Sequence, residues 1–253
     1  MGKMAVESKT LPAETAAIPM GSKARSLGIP TAYRRYFVWA QILVAFLFLE
    51  FAIWAPTPEI RNRWAAIAAI TILVLVLADV LLDRSPRSAR SSTSSLHRLG
   101  LGLPKMFGAS VVLGIGLATI VCMVILVSWA GGEIPANPTW FPNLQSAWGY
   151  IVWAMLQEFL LQSFFFNRCE ELYGGEPAVW MASTLFAAAH LPNPVLTTAA
   201  LIGALFFCEM FRRYRSIYVL GIVHAMLGLT LAILMPDSLL HHMRVGIGYL
   251  RYR

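Results

Sequence analysis

Residues 148–166 read WGYIVWAMLQEFLLQSFFF, a run of nineteen in which Glu158 is the one charged side chain. A helix needs roughly 20 apolar residues to cross the hydrocarbon core of a bilayer, so this run is long enough to span and carries its acid to membrane depth. An ionised carboxylate near the bilayer centre costs at least 2.5 to 3.5 kcal/mol or so on insertion scales, which is why such a group faces a polar cavity or a partner. Two further ionisable residues, His190 and His224, lie in later apolar segments. A buried acid with two buried imidazoles points to water-activating chemistry.

The rest of the chain has the same character. Its 253 residues are 58% hydrophobic and 13% charged, with a mean hydropathy of +0.64, too apolar for a soluble domain of this size. The expected fold is all-α, a polytopic transmembrane bundle of about seven spans at 37–54, 64–82, 107–129, 148–166, 178–190, 196–211 and 217–235. The fifth and sixth are short, and they can tilt, pair as a hairpin around His190-Leu-Pro-Asn-Pro194, or be partly re-entrant where protein satisfies the backbone. The domain reading is a polar cytoplasmic tail over 1–35, one transmembrane domain over 36–240 with its motif-bearing core at 148–234, and a basic tail over 241–253. RSPRSARSSTSS, between the second and third spans, reads as a flexible cytoplasmic loop. No internal repeat stands out.

Basic residues are retained on the cytoplasmic side. Seven spans with the amino terminus inside place 15 of the 20 Lys and Arg there, and the 130–146 loop has none. The expectation is therefore an integral membrane protein with a cytoplasmic amino terminus. Retention and attraction to anionic lipid account for the net charge of +7, and no nucleic-acid partner is implied. The first 25 residues lack the continuous apolar run of a signal peptide. Cys122, Cys169 and Cys208 show no metal-type spacing and read as small apolar residues.

At about 100° per residue, Gln157, Glu158, Leu161 and Gln162 fall within about 140° of arc, so three polar groups share one broad helix face. Phe186 and His190 are i, i+4, as are His224 and Gly228. A lone helical histidine is usually a satisfied core residue. Three ionisable groups on three apolar helices make convergence the stronger reading.

These residues resemble the CAAX protease and bacteriocin-processing family of intramembrane endopeptidases, also called CPBP or Abi. The family's first motif, EExxxR, maps onto QEFLLQ with Gln157, Glu158 and Gln162. Its second, FxxxH, maps onto FAAAH with Phe186 and His190. Its third, a His followed four residues later by Asn or a similar residue, maps onto His224 and Gly228. The resemblance covers about 148–234. It implies a hydrolase acting on a membrane-associated protein or peptide, in a chain of this size a bacterial cytoplasmic-membrane enzyme. In this chain the family's first Glu, usually assigned as the water-activating base, is Gln157. Its Arg is Gln162, and its Asn is Gly228.

An amide cannot act as general base, so a protease built on these residues must use Glu158. His190 would then assist proton transfer or place the water, and His224 would stabilise the oxyanion. Gln157, Gln162 and Asn193 are the candidates for holding substrate, although a turn or cap role is the plainer reading of Asn193 between two prolines. No cofactor is required, but Glu158, His190 and His224 also form a His₂Glu set that zinc accepts. Two further readings stay open: a non-catalytic scaffold or chaperone binding partner helices, and a transporter with Glu158 as proton carrier.

Overall fold

The computed structural model describes residues 31–82, 92–131 and 144–251, mostly helical. The amino-terminal tail, much of the Ser/Arg-rich loop and most of the 130–146 loop lie outside the described residues. Helix α1 (Thr31–Ile53) and helix α2 (Pro58–Leu82) form an antiparallel hairpin. Pro58 opens α2 at a first-turn position where its missing N–H costs no helical bond. Trp64 of α2 packs on Phe48 and Phe51 of α1, with ring centroids 5.6 and 4.9 Å apart.

A short α3 (Ser92–Arg98) follows, so the end of the Ser-rich segment, expected as loop, is helical. The turn docks onto the bundle through Leu99, which is buried and whose carbonyl accepts from Ser163 Oγ at 2.6 Å. Helix α4 (Met106–Trp129) comes next. Between α3 and α4, Gly100 has φ +73° and lies against Phe211 and Ile217, in space a side chain would overfill. The Gly100 carbonyl accepts from Ile217 N at 3.0 Å.

Residues 144–173 run on as one rod in three pieces, α5 (Leu144–Glu158), a π-helical segment (Phe159–Phe166) and α6 (Asn167–Tyr173). The six residues from Leu161 to Phe166 are all buried, which a helix covered on one side cannot achieve. The π segment is the central post of the bundle, touched by α2, by α7 (Gly175–Ala188) and by α8 (Pro194–Tyr214). Helix α9 (Ile217–Leu234) packs on both α5 and α4.

Among the described residues, five helices are long and apolar enough to cross a membrane: Tyr33–Ile53, Pro58–Ala78, Met106–Trp129, Pro194–Tyr214 and Ile217–Leu234. Side chains such as Phe107, Leu117, Ile125 and Ile202 point outward and exposed, as lipid-facing positions require. The protein is an all-α integral membrane bundle.

Two of the seven expected spans take other forms. The fourth is the broken rod just described. The fifth, α7, has 14 residues, about 21 Å of helix against a hydrocarbon core of about 30 Å. It turns back through residues 189–193 into α8, the hairpin geometry that the HLPNP break allows. The sixth is longer than the apolar run implies, because Pro194 starts α8 and Arg215, in the left-handed region, ends it.

The carboxyl-terminal residues carry structure of their own. They form α10 (Asp237–Leu240), a tight turn at His241–Met243 and α11 (Gly246–Leu250). Gly246 N donates to Leu191 O at 2.8 Å, and Arg251 Nη1 donates to Pro56 O at 2.5 Å. This segment ties the α7–α8 turn to the α1–α2 turn. His241 packs on Tyr249, and His242 Nδ1 lies 2.8 Å from Asp237 Oδ1.

Candidate active site

Glu158 ends α5 where the central rod changes pitch, and its side chain is fully buried. Its Oε1 lies 2.9 Å from His224 Nδ1. Its Oε2 accepts from Gln162 Nε2 at 3.0 Å. A carboxylate offers about four lone-pair sites, so two remain after these bonds. With Glu158 ionised, His224 Nδ1 carries the proton, and the Nε2 of the neutral ring is an acceptor. Phe207 stacks on the His224 ring at 5.2 Å with 19° between planes, and Phe186 meets it edge-on at 6.0 Å. Two aromatic walls therefore set the rotation of the imidazole.

The close approach of α5 to α9 is made by glycine. A Cβ at Gly221 would fall 2.0 Å from Met155 Sδ, and one at Gly228 would fall 1.9 Å from Tyr150 Oη. Gly221, His224 and Gly228 stand at i, i+3 and i+7, one face of α9, so small residues above and below His224 bring its ring to Glu158.

His190 lies just beyond α7, partly buried. Its Nδ1 is 2.7 Å from Phe186 O. A carbonyl only accepts, so this contact puts the proton on Nδ1 and leaves Nε2 of the neutral ring as an acceptor. His190 makes no bond to Glu158, and Phe186 links the two histidines by packing 4.7 Å from the His190 ring as well as against His224. The structure thus joins Glu158, Gln162 and His224 directly and brings His190 alongside.

Comparison with known families adds one finding. Residues 139–230 match the family model described as Type II CAAX prenyl endopeptidase Rce1-like. This segment is similar to that family. Comparison with curated proteins and with solved structures returns no match. The matched segment contains Glu158, His190 and His224, and the model it matches describes prenyl endopeptidases.

Within the Rce1-like segment the other expected residues take different places. Gln162, where the motif has Arg, holds Glu158. Gln157, where the motif has its first Glu, is half-buried and makes no hydrogen bond among the described residues. Asn193 is fully buried. Its Oδ1 caps α8 by accepting from Leu196 N at 3.0 Å, while its Nδ2 donates to Leu240 O at 2.9 Å and Arg244 O at 3.2 Å. Both sides of this amide are engaged in the fold, which favours the cap reading over substrate holding. Among the described residues no three His, Cys, Asp or Glu side chains converge as a metal would require. Two members of the His₂Glu set, Glu158 and His224, bond each other instead.

The charges that end the central rod reach across to other helices. Arg168 is buried, donates to Gln41 Oε1 at 2.8 Å and lies over the Phe164 ring. Glu171 pairs with Arg34 at 2.6 Å, and Glu170 pairs with Arg215. Side chains of α6 can reach α1 and the α8–α9 turn because the rod is central.

Sequence reasoning did not single out Tyr150, Phe207 or Ser183. The last is fully buried beside Cys208. The glycine at position 228, where a polar side chain is expected, is the one signal that a neighbour fills that space.

Proposed function

We propose that this chain is an intramembrane endopeptidase that hydrolyses a peptide bond in a membrane-associated protein or peptide, with Glu158 as the water-activating base. The observation that carries the reading is the buried Glu158–His224 contact inside the Rce1-like segment. Glu158 takes a proton from water as the water oxygen bonds to the carbonyl carbon, and the carbonyl π pair moves to oxygen. The same proton passes to the amide nitrogen as the C–N bond breaks, leaving an acid and an amine. His224 and Gln162 hold the carboxylate in place. His190 offers Nε2 to orient the water. Two acceptor bonds leave Glu158 enough lone pairs for this role, so loss of the first motif Glu to Gln157 does not remove the base.

In this reading the amino terminus is cytoplasmic and the enzyme sits in a bacterial cytoplasmic membrane. A His₂Glu zinc site is the less favoured variant, since it would have to break the Glu158–His224 bond. The complete burial of Glu158 favours the second reading, a scaffold that keeps the fold and binds partner helices.

Comparing membrane-protein termini in cells carrying wild type, Glu158→Gln or His190→Ala at matched expression separates the two. The hydrolase reading expects the same uncleaved precursor to accumulate in both mutants. Unchanged termini, together with rescue of a deletion phenotype by both mutants, would leave the scaffold.

A further inference from the structure

We propose that a cleft between the first turns of α4 and α9 binds the phosphate of an anionic glycerophospholipid from the surrounding leaflet. The cleft shares no residue with the Glu158–His224 pair, and the proposal does not rest on the hydrolase reading.

Two long helices begin at one place. Lys105 is the N-cap of α4 and Ser216 the N-cap of α9, and neither side chain caps its own helix. A helix leaves its first N–H groups without intrahelical carbonyls, and its aligned peptide dipoles add to about half a positive charge at that end. Ile217 N is satisfied by Gly100 O at 3.0 Å. The N–H groups of Tyr218 and Val219 on α9, and of Met106, Phe107 and Gly108 on α4, have no carbonyl within their helices to receive them. Both helix beginnings border a cleft of about 250 Å³ that counts Lys105, Gly108, Tyr214 and Ser216 in its lining. Two positive helix ends on one cleft favour an anion.

One polar atom of the lining has no role in the fold. Ser216 is 5% exposed, and its Oγ has no hydrogen-bond partner among the described residues. A buried hydroxyl left unpaired is costly, and a phosphate oxygen in the cleft would accept from it. Lys105 is exposed at the edge of the cleft. Glu209, beside the lining residue Met210, is held by Arg212 and Arg213 at 2.7 and 2.6 Å, so it does not oppose the Lys105 charge. The surroundings select a lipid as the source of the anion. Leu103, Met106 and Phe107, next to Lys105, are 91%, 82% and 75% exposed, apolar surface that a bilayer covers. The inner wall of Val112, Met210 and Leu220 is apolar as well. A phosphate held here has its acyl chains along the outward residues Leu113, Leu117 and Val121 of α4. The lining holds no carboxylate to receive the cation of a zwitterionic headgroup, which sets the preference for a net anionic lipid.

The test titrates the full chain in detergent with dioleoyl phosphatidylglycerol, dioleoyl phosphatidylcholine or inorganic phosphate, read by native mass spectrometry and by melting temperature. Wild type is expected to hold one phosphatidylglycerol about fivefold tighter than phosphatidylcholine, and Lys105→Gln should remove that preference. Ser216→Ala should weaken phosphatidylglycerol by about tenfold, the loss of one hydrogen bond to a charged group. Without lipid, Ser216→Ala should melt at the wild-type temperature, because its hydroxyl bonds nothing in the fold. Phosphatidylglycerol binding that survives both substitutions overturns the site. So does equal binding of phosphatidylcholine by wild type, or a Ser216→Ala protein that melts early without lipid, which gives the hydroxyl to the fold. Stabilisation by millimolar inorganic phosphate that matches the lipid assigns the cleft to a soluble phosphate and overturns the lipid.

Discussion

At Asn193 one buried amide holds three backbone groups: the Leu196 N–H that begins α8 and the carbonyls of Leu240 and Arg244. Replacing it with alanine removes an N-cap, about 1 kcal/mol, and strips donors from buried carbonyls, about 1–3 kcal/mol more. Asn193→Ala is expected to lose about 2–4 kcal/mol in all, read as a fall of several degrees in the detergent melting temperature, with KM unchanged in the active fraction. A raised KM at unchanged melting temperature would give Asn193 to the substrate instead. The same scale sets what residue types reveal. Glu158, His190 and His224 were legible because an ionisable side chain in an apolar run has few reasons to be there. Phe207, which stacks on the His224 ring, was not, since a phenylalanine in an apolar helix reads as packing.

The face of α9 formed by Gly221, His224 and Gly228 is the element on which the site depends. Gly221→Ala puts its new carbon 2.0 Å from the Met155 sulfur but 3.3 Å from Met155 Cα. The flexible thioether can swing aside, so little change in stability is expected. Gly221→Leu must push α5 itself, and overpacking of that kind costs about 1–3 kcal/mol. It should also abolish cleavage by separating Glu158 from His224. Adding Met155→Ala to Gly221→Leu should restore part of both, which a melting curve and a cleavage assay on the same preparation will read. Failure of that rescue would mean that the α5–α9 distance does not set the Glu158–His224 bond. The short α7 was legible from its length. The π segment was not, because LLQSFFF has the composition of any buried helix and nothing in its pattern signals the wider i→i+5 turn.

Across the whole molecule, charge and contacts agree on which helix ends lie together. Arg34 pairs with Glu171 at 2.6 Å, Arg215 pairs with Glu170, and Arg215 Nη1 donates to Asn167 Oδ1 at 3.1 Å. The start of α1, the end of α6 and the end of α8 therefore share one end of the bundle, where the basic residues concentrate. At the other end Arg251 bonds Pro56 O, and Gly246 rests on Ile53. This two-ended pattern was legible as a count of Lys and Arg. The fold-back of residues 237–250 was not, because its contacts are made by backbone groups that any sequence carries. In the proposed orientation, which rests on retention of basic residues, the Arg34 end is cytoplasmic and the Pro56 end outside. In a cysteine-free background, Arg61→Cys should react with a membrane-impermeant maleimide on intact cells. Lys105→Cys, at the start of α4 beside the basic end, should react only after permeabilisation. The reverse pattern would invert the bundle and turn the α7–α8 hairpin over, so that a cytoplasmic peptide would meet its His190 tip instead of the open ends of α7 and α8.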